Sequence, residues 1–239
     1  MLSTCLLRDT SYFNYIQQSS ATGGGNIVQT NLVLNLNSII GPSWRDSSGL
    51  NNNFTLYNSP TVSGNLITFN GTNQYAIDTS NFSTTITNFT ISMWVKPSSI
   101  PSLCYLFSVN RSPSNSAYEG ILQLSNGKLN YWDYSIGSYG YPDGTYLSTN
   151  AITSGVWSYV SFVKNGTSGT YYINGVSNGS ATASQNVTYG LTYFSIAGDT
   201  RDGVRYFPGQ IGQVLMYSSA LTSTQILQNY NATKSSYGL

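Results

Sequence analysis

Alternation with a period of two constrains this chain more than any other feature. In "FTISMWV", Phe89, Ile91, Met93 and Val95 face one way while Thr90, Ser92 and Trp94 face the other. That is the pattern of a strand with one packed face and one more polar face. "LVLNL", "KLNYWDY" and "WSYVSFVK" repeat it. Turn signals recur between these runs. The strongest is Asn174-Gly175 in "GTYYINGVSNG", because both central residues of such a hairpin turn can adopt positive φ. Even the amide-rich passage "SGLNNNFTLYNSPTVSGNLITFNGTNQYAI" divides into short strands joined by Asn- and Gly-rich turns. The expected fold is all-β, a two-sheet antiparallel jelly-roll sandwich. One short C-terminal helix interrupts the rhythm, in "ALTSTQILQNY". There Thr222 and Gln225 have the spacing of a capping box, and Leu221 and Ile226 that of a hydrophobic staple. Ile226, Leu227 and Tyr230 form an apolar stripe suited to docking on a sheet.

Composition narrows the partners. Charged residues are 7% of the 239, against about 25% in ordinary domains, and the net charge is +1. No nucleic-acid partner is expected, because phosphate binding needs clustered Lys and Arg. The absence of histidine removes the commonest general base, the commonest zinc ligand and every His-dependent triad. Cys5 and Cys104 are either one bridge or two reduced thiols. No window reaches the roughly 20 apolar residues of a membrane span, so no membrane insertion is expected. The opening "MLSTCLLRDTSYFNYIQQ" has only a short apolar run, closed off by Arg8 and Asp9, and does not read as an export signal.

Residues 1–28 read as an N-terminal arm with a Gly-rich linker, "SSATGGGN", ahead of one domain over residues 29–239. The arm is either a frayed terminus or a docking segment that uses Leu6, Leu7, Tyr12, Phe13 and Tyr15 against a partner.

The order of motifs is itself informative. "LVLNLN", "WRDSSGLNNNFTL", "ITFNGTNQYA" and "FTISMWVKPSS" come first, then "SGVWSYVSFVKNGTSGTYYINGV" and "FPGQIGQVLMYSSALTSTQILQNYNATK". Together they resemble the concanavalin A-like, laminin-G-like jelly-roll family over roughly residues 30–235. The resemblance implies two stacked antiparallel sheets, one of them curved. Members of that family are mostly binding modules, some are glycosidases, and many hold one structural calcium ion. Asn-rich, low-charge versions are similar to domains on phage fibres and large-virus particles. The closing strand of the family often reads Ile-Asp-Glu-Val, whereas here Ile211, Gly212, Gln213 and Val214 stand in its place. Asp46 survives. With Asn51 and backbone carbonyls it is a candidate weak calcium set; alternatively, Asp46 caps its own turn.

A glycosidase needs two carboxyl groups roughly 5–9.5 Å apart. Glu119 is the sole glutamate and has no acidic neighbour in sequence, and Asp199 and Asp202 are hemmed in by Arg201 and Arg205, which keep carboxylates ionised. No catalysis is expected. Binding is better supported, because sugar sites combine apolar walls with a few placed polar groups. "NYWDYSIGSYGYPDGTY" offers Trp132, Tyr134, Tyr139, Tyr141 and Tyr146 around Asp133 and Asp143. "GDTRDGVRYF" adds Asp199, Arg201, Asp202, Arg205 and Tyr206. This surface is open to three readings: a sugar site, a protein contact or ordinary packing. The expected function is a non-enzymatic structural protein of a virus particle, on its surface or in the capsid shell, binding coat proteins, host glycan, or both. The alternatives are a free, extracellular carbohydrate-binding lectin and, third, a glycoside hydrolase relative.

Overall fold

The computed structural model describes residues 26–78, 84–110, 118–132, 146–183, 186, 188–191, 193–198 and 205–239. The first strands are β1 (Leu32–Ile40), β2 (Ser43–Asp46), β3 (Phe54–Tyr57), β4 (Thr61–Ser63), β5 (Leu66–Asn70) and β6 (Tyr75–Asp78). Next come β7 (Thr84–Ile86), β8 (Phe89–Pro97), β9 (Leu103–Asn110), β10 (Tyr118–Ser125), β11 (Lys128–Trp132) and β12 (Leu147–Ala151). The last are β13 (Ser158–Asn165), β14 (Ser168–Ile173), β15 (Val176–Thr182), β16 (Tyr189–Leu191), β17 (Tyr193–Ile196) and β18 (Pro208–Tyr217). Helix α1 (Ser223–Thr233) and a 3-10 turn (Lys234–Tyr237) close the chain.

Two strands organise the sandwich. β18 pairs with β8 along one edge, while its other edge is shared by β5, over Pro208–Ile211, and β1, over Val214–Tyr217. β1 then leaves β18, shifts register between Leu36 and Ser38, and pairs with β2. That bulge carries the chain from one sheet to the other. The hydrogen bonding is continuous through sixteen strands, which form two layers joined at β1: a first sheet β15-β14-β13-β8-β18, extended by β1, β5 and β4, and a second β2-β3-β6-β17-β9-β10-β11-β12; β7 and β16 pair separately. All these pairings are antiparallel, as the turn chemistry requires. Asn174 and Gly175, at φ of 52° and 80°, form the turn between β14 and β15. At the far side the two sheets approach again, where the Asn150 N–H donates to Asn178 Oδ1 at 2.8 Å.

Phe89, Ile91, Met93 and Val95 from β8 meet Leu106, Phe107, Leu122 and Leu129 of the second sheet in the main core. Phe162 stacks on Tyr131 across the layers, with centroids 4.2 Å apart. The opposite face of β8 is not a polar surface, contrary to what its alternation suggests. Thr90, Ser92 and Trp94 are all buried, because α1 and the 3-10 turn lie over them. Trp94 stacks under Tyr237 at 4.2 Å and donates its indole N–H to Thr233 Oγ1 at 2.9 Å. Alternation shows which residues share a face and leaves open what covers it.

The helix begins as its sequence specifies: Thr222 and Gln225 form the reciprocal capping box. Leu221 and Ile226 are buried in a second apolar cluster with Val28, Tyr172, Leu215 and Tyr217. Leu227 stays partly exposed, but its Cδ1 rests on Gly175 in the turn between β14 and β15, 2.9 Å from where a Cβ would lie. Val28 is fixed at both backbone groups, its N–H donating to Asn229 Oδ1 at 2.8 Å and its carbonyl accepting from the Tyr217 hydroxyl at 3.0 Å. Cys104 is a buried free thiol, pushed up to about 12 by burial. No helix among the described residues is long and apolar enough to cross a membrane. The arm residues Leu6, Leu7, Tyr12, Phe13 and Tyr15, and Cys5, lie outside the described residues.

Candidate functional site

With α1 over much of the first sheet, the outer face of the second becomes the place to look for a ligand surface. Phe54 and Ala76 point into the core, so alternation along β3 and β6 turns Thr55, Tyr57, Tyr75 and Ile77 outward. Tyr57 and Tyr75 are cross-strand partners, and their rings stack 5.0 Å apart, only 9° from parallel. Tyr206 extends the row at 6.2 Å from Tyr75 and 26° from parallel. It is seated over Gly198, where a Cβ would lie 2.7 Å from Tyr206 Cε1. Arg205, at φ 68°, reaches back to β9. Its guanidinium lies 5.5 Å from the Tyr105 ring centroid and donates to the Tyr105 hydroxyl, and its carbonyl accepts the Tyr105 N–H at 2.8 Å. Tyr57 is 38% exposed at the open end of the row, whereas Tyr105 is buried at the other. The Tyr75 phenol is raised above its ordinary range by burial, then by the neighbouring phenols of Tyr206 and Tyr57.

Neutral polar groups continue along this face. Ser108 and Ser195 share a hydroxyl–hydroxyl hydrogen bond. Gln123 donates to Asn130 Oδ1 at 2.6 Å, and Asn130 donates in turn to the Tyr146 carbonyl at 3.0 Å. All four side chains are buried and satisfied, which holds the face rigid.

Of the residues expected to bind a ligand, Trp132 ends β11 half-buried, and Arg205 and Tyr206 join the tyrosine row. Asp133, Tyr134, Tyr139, Tyr141, Asp199, Arg201 and Asp202 lie outside the described residues, as does Asp143. Tyr146 packs against the core. Sequence reasoning missed Tyr57, Tyr75 and Tyr105. The available signal was a large ring on the solvent side of an alternating strand, but the partners are supplied only by sheet pairing.

Asp46 and Asn51, the residues expected to hold calcium, are engaged by the protein's own donors. Asp46 Oδ1 accepts the N–H groups of Asn35 and Ser48, each at 2.8 Å. Its Oδ2 accepts the Ser48 hydroxyl at 2.7 Å and the Asn52 N–H at 2.9 Å. Four donors occupy the lone pairs of one carboxylate, and Asn51 Oδ1 accepts from Asn53 Nδ2 at 2.8 Å. Oxygens aimed at protein donors do not fit a cation that takes six to eight ligands. Asp46 instead fixes the turn between β2 and β3. Among the described residues, no three His, Cys, Asp or Glu side chains come together.

Comparison with known proteins supplies the context. No curated protein matches the sequence significantly. Solved structures of similar fold include a Trypanosoma rangeli sialidase in complex with sialic acid, at 17% identity and TM-score 0.63, covering 85% of this chain and 33% of that one. Domain 4 of AbnA, a GH43 extracellular arabinanase from Geobacillus stearothermophilus, solved with arabinotriose, matches at 20% identity and TM-score 0.62. That match covers 84% of this chain and 98% of the domain. The chain spans about a third of the sialidase's length, and at these identities the likeness establishes the fold alone. It also corrects the expectation of a chain without catalysis: the fold recurs in a sialidase and in a domain of an arabinanase, so it gives no ground for excluding an enzyme. The model of the concanavalin A-like lectin/glucanases superfamily, in its Laminin_G_3 form, matches residues 69–227, more than half of the sequence, and the chain belongs to that family.

Proposed function

We propose that this chain is a carbohydrate-binding module and that it works on the surface of a virus particle beside coat proteins. The observation that carries the first part is the row Tyr57–Tyr75–Tyr206, held on the outer face of the second sheet and exposed at Tyr57. Aromatic side chains at a rigid surface suit the C–H surfaces of sugar rings. Sheet pairing, the Gly198 seat and the Arg205–Tyr105 brace hold the rings in place before any ligand arrives, which lowers the entropic penalty of binding. The likeness to a single arabinanase domain solved with arabinotriose supports a unit of this size holding a glycan. The particle setting draws its support from the resemblance to phage and large-virus domains and from a surface with few charges.

A glycan array probed with the purified chain tests the first part. Selective hits that weaken about tenfold in Tyr57→Ala, a change of about 1.4 kcal/mol, support it. No hit above background would overturn it, and hits unchanged in Tyr57→Ala and Tyr206→Ala would remove the tyrosine row as its carrier. Mass spectrometry of gradient-purified particles tests the setting, and absence of the chain from them would remove that part.

A further inference from the structure

On the opposite side of the sandwich, an open groove of about 640 Å³ lies between the β4–β5 hairpin, the bulged middle of β18 and the C-terminal turn. Its volume falls within the roughly 300–1,000 Å³ of small-molecule sites. Neutral polar groups make up much of the lining, among them Asn37, Asn65, Gln213, Ser236 and Tyr237, with Leu66 and Ala232 as apolar wall. Several of their atoms lack a protein partner. Asn37 accepts the Ser47 hydroxyl on Oδ1 at 2.7 Å, which leaves its amide protons. Gln213 donates Nε2 to Asn35 Oδ1 at 2.7 Å, which leaves Oε1. The side chains of Asn65 and Ser236 form no hydrogen bond with any described residue.

We infer that this groove is a second glycan site, taking a neutral oligosaccharide segment. Its chemistry selects against the other classes. Phosphate, sulfate and carboxylate ligands call for Arg or Lys, and the lining has neither. A protein hot spot calls for a large desolvated apolar or Arg anchor pocket, and Leu66 with Ala232 does not make one. Polyhydroxylated neutral ligands need both donors and acceptors, and the groove offers both. The wall is rigid, because Tyr237 is stacked on Trp94 and its hydroxyl accepts the Gln213 N–H at 2.7 Å. The phenol stays neutral at physiological pH, pushed up to about 12 by burial. The site is separate from the tyrosine row, so one chain would hold two glycan segments and gain avidity on a dense glycan surface.

NMR titration of the isotope-labelled full chain with arabinotriose, xylotriose and maltotriose tests this. The expected result is movement of the side-chain amide signals of Asn37, Asn65 and Gln213 with at least one trisaccharide. Asn37→Ala/Asn65→Ala should weaken that binding about tenfold, with an unchanged thermal midpoint. Tyr57→Ala should leave it intact. No movement at these amides with any of the three sugars at millimolar concentration, or movement that persists in the double variant, would overturn the inference. Shifts confined to the tyrosine row would overturn it while leaving the proposed function standing, and shifts confined to the groove would uphold it while removing the tyrosine row as a glycan platform.

Discussion

Gly212 and Tyr237 meet with no room for a side chain on the glycine: a Cβ there would lie 2.7 Å from Tyr237 Cζ. The ring cannot easily yield, because it is stacked on Trp94 at 4.2 Å and edge-on to Trp157 at 4.8 Å. Where the family often carries Asp-Glu, this chain carries Gly-Gln. The glycine admits the ring, and Gln213 joins its backbone N–H to the Tyr237 hydroxyl and its side chain to Asn35. Gly212 and Gln213 together form a neutral anchor for the C-terminal turn.

Gly212→Ala should therefore destabilise the fold by about 1–3 kcal/mol, the usual range for overpacking a tight contact. Urea unfolding measures it. In a Tyr237→Leu background the same substitution should lose most of its effect, because the obstructed atoms are gone. An equal penalty in both backgrounds would show that the conflict lies elsewhere.

Asp46→Asn replaces one of two accepting oxygens with a donor that faces donors. About 1–3 kcal/mol of stability should be lost, the range for leaving a donor unsatisfied or removing a bond to a charged group. Because the carboxylate is saturated by Asn35, Ser48 and Asn52, adding calcium or a chelator should leave the thermal midpoint of the parent chain unchanged. A calcium-dependent rise in that midpoint, abolished by Asp46→Asn, would restore the metal reading.

What was legible in the sequence follows from locality. The capping box of Thr222 and Gln225 and the turn at Asn174-Gly175 are short-range devices, and both stand where their residues put them. Period two identified the core face of β8 for the same reason. The tyrosine row was not legible, because Tyr57 and Tyr75 meet only through the pairing of β3 with β6, and Tyr206 arrives from a distant segment. Trp94 was assigned to a polar face because its cover, the C-terminal turn, is more than a hundred residues away in sequence. Asp46 was legible as either ligand or cap, and the four donors that favour the cap come from backbone and side-chain positions fixed only by the fold.

Gly198→Ala probes the row without touching a ring. The new methyl would press on Tyr206 and tilt it away from Tyr75. Affinity for any glycan found on the array should fall about three- to tenfold, about 0.7–1.4 kcal/mol. The thermal midpoint is the control, since a wholesale loss of structure would move both. Unchanged affinity with a displaced Tyr206, read from its NMR ring signals, would remove Tyr206 from the platform.

Alkaline pH should be the weak point of this fold. Burial pushes the phenols of Tyr217 and Tyr237 up to about 12 from 10.0, and the Cys104 thiol up to about 12 from 9.0. In each case the folded chain keeps a proton that the unfolded chain has released, so unfolding becomes more favourable as pH rises through the gap. This stability is complete below pH 9.0 and is lost progressively up to about 12. Urea midpoints should therefore begin to fall near pH 9 and steepen above 10.0, where the tyrosines add to the thiol. Cys104→Ala should delay the onset, and Tyr237→Phe should shallow the steeper part. With no histidine, nothing comparable is expected between about pH 6 and 8. A midpoint that stays level to about pH 11 would mean that these groups are open to solvent and lose their protons without unfolding.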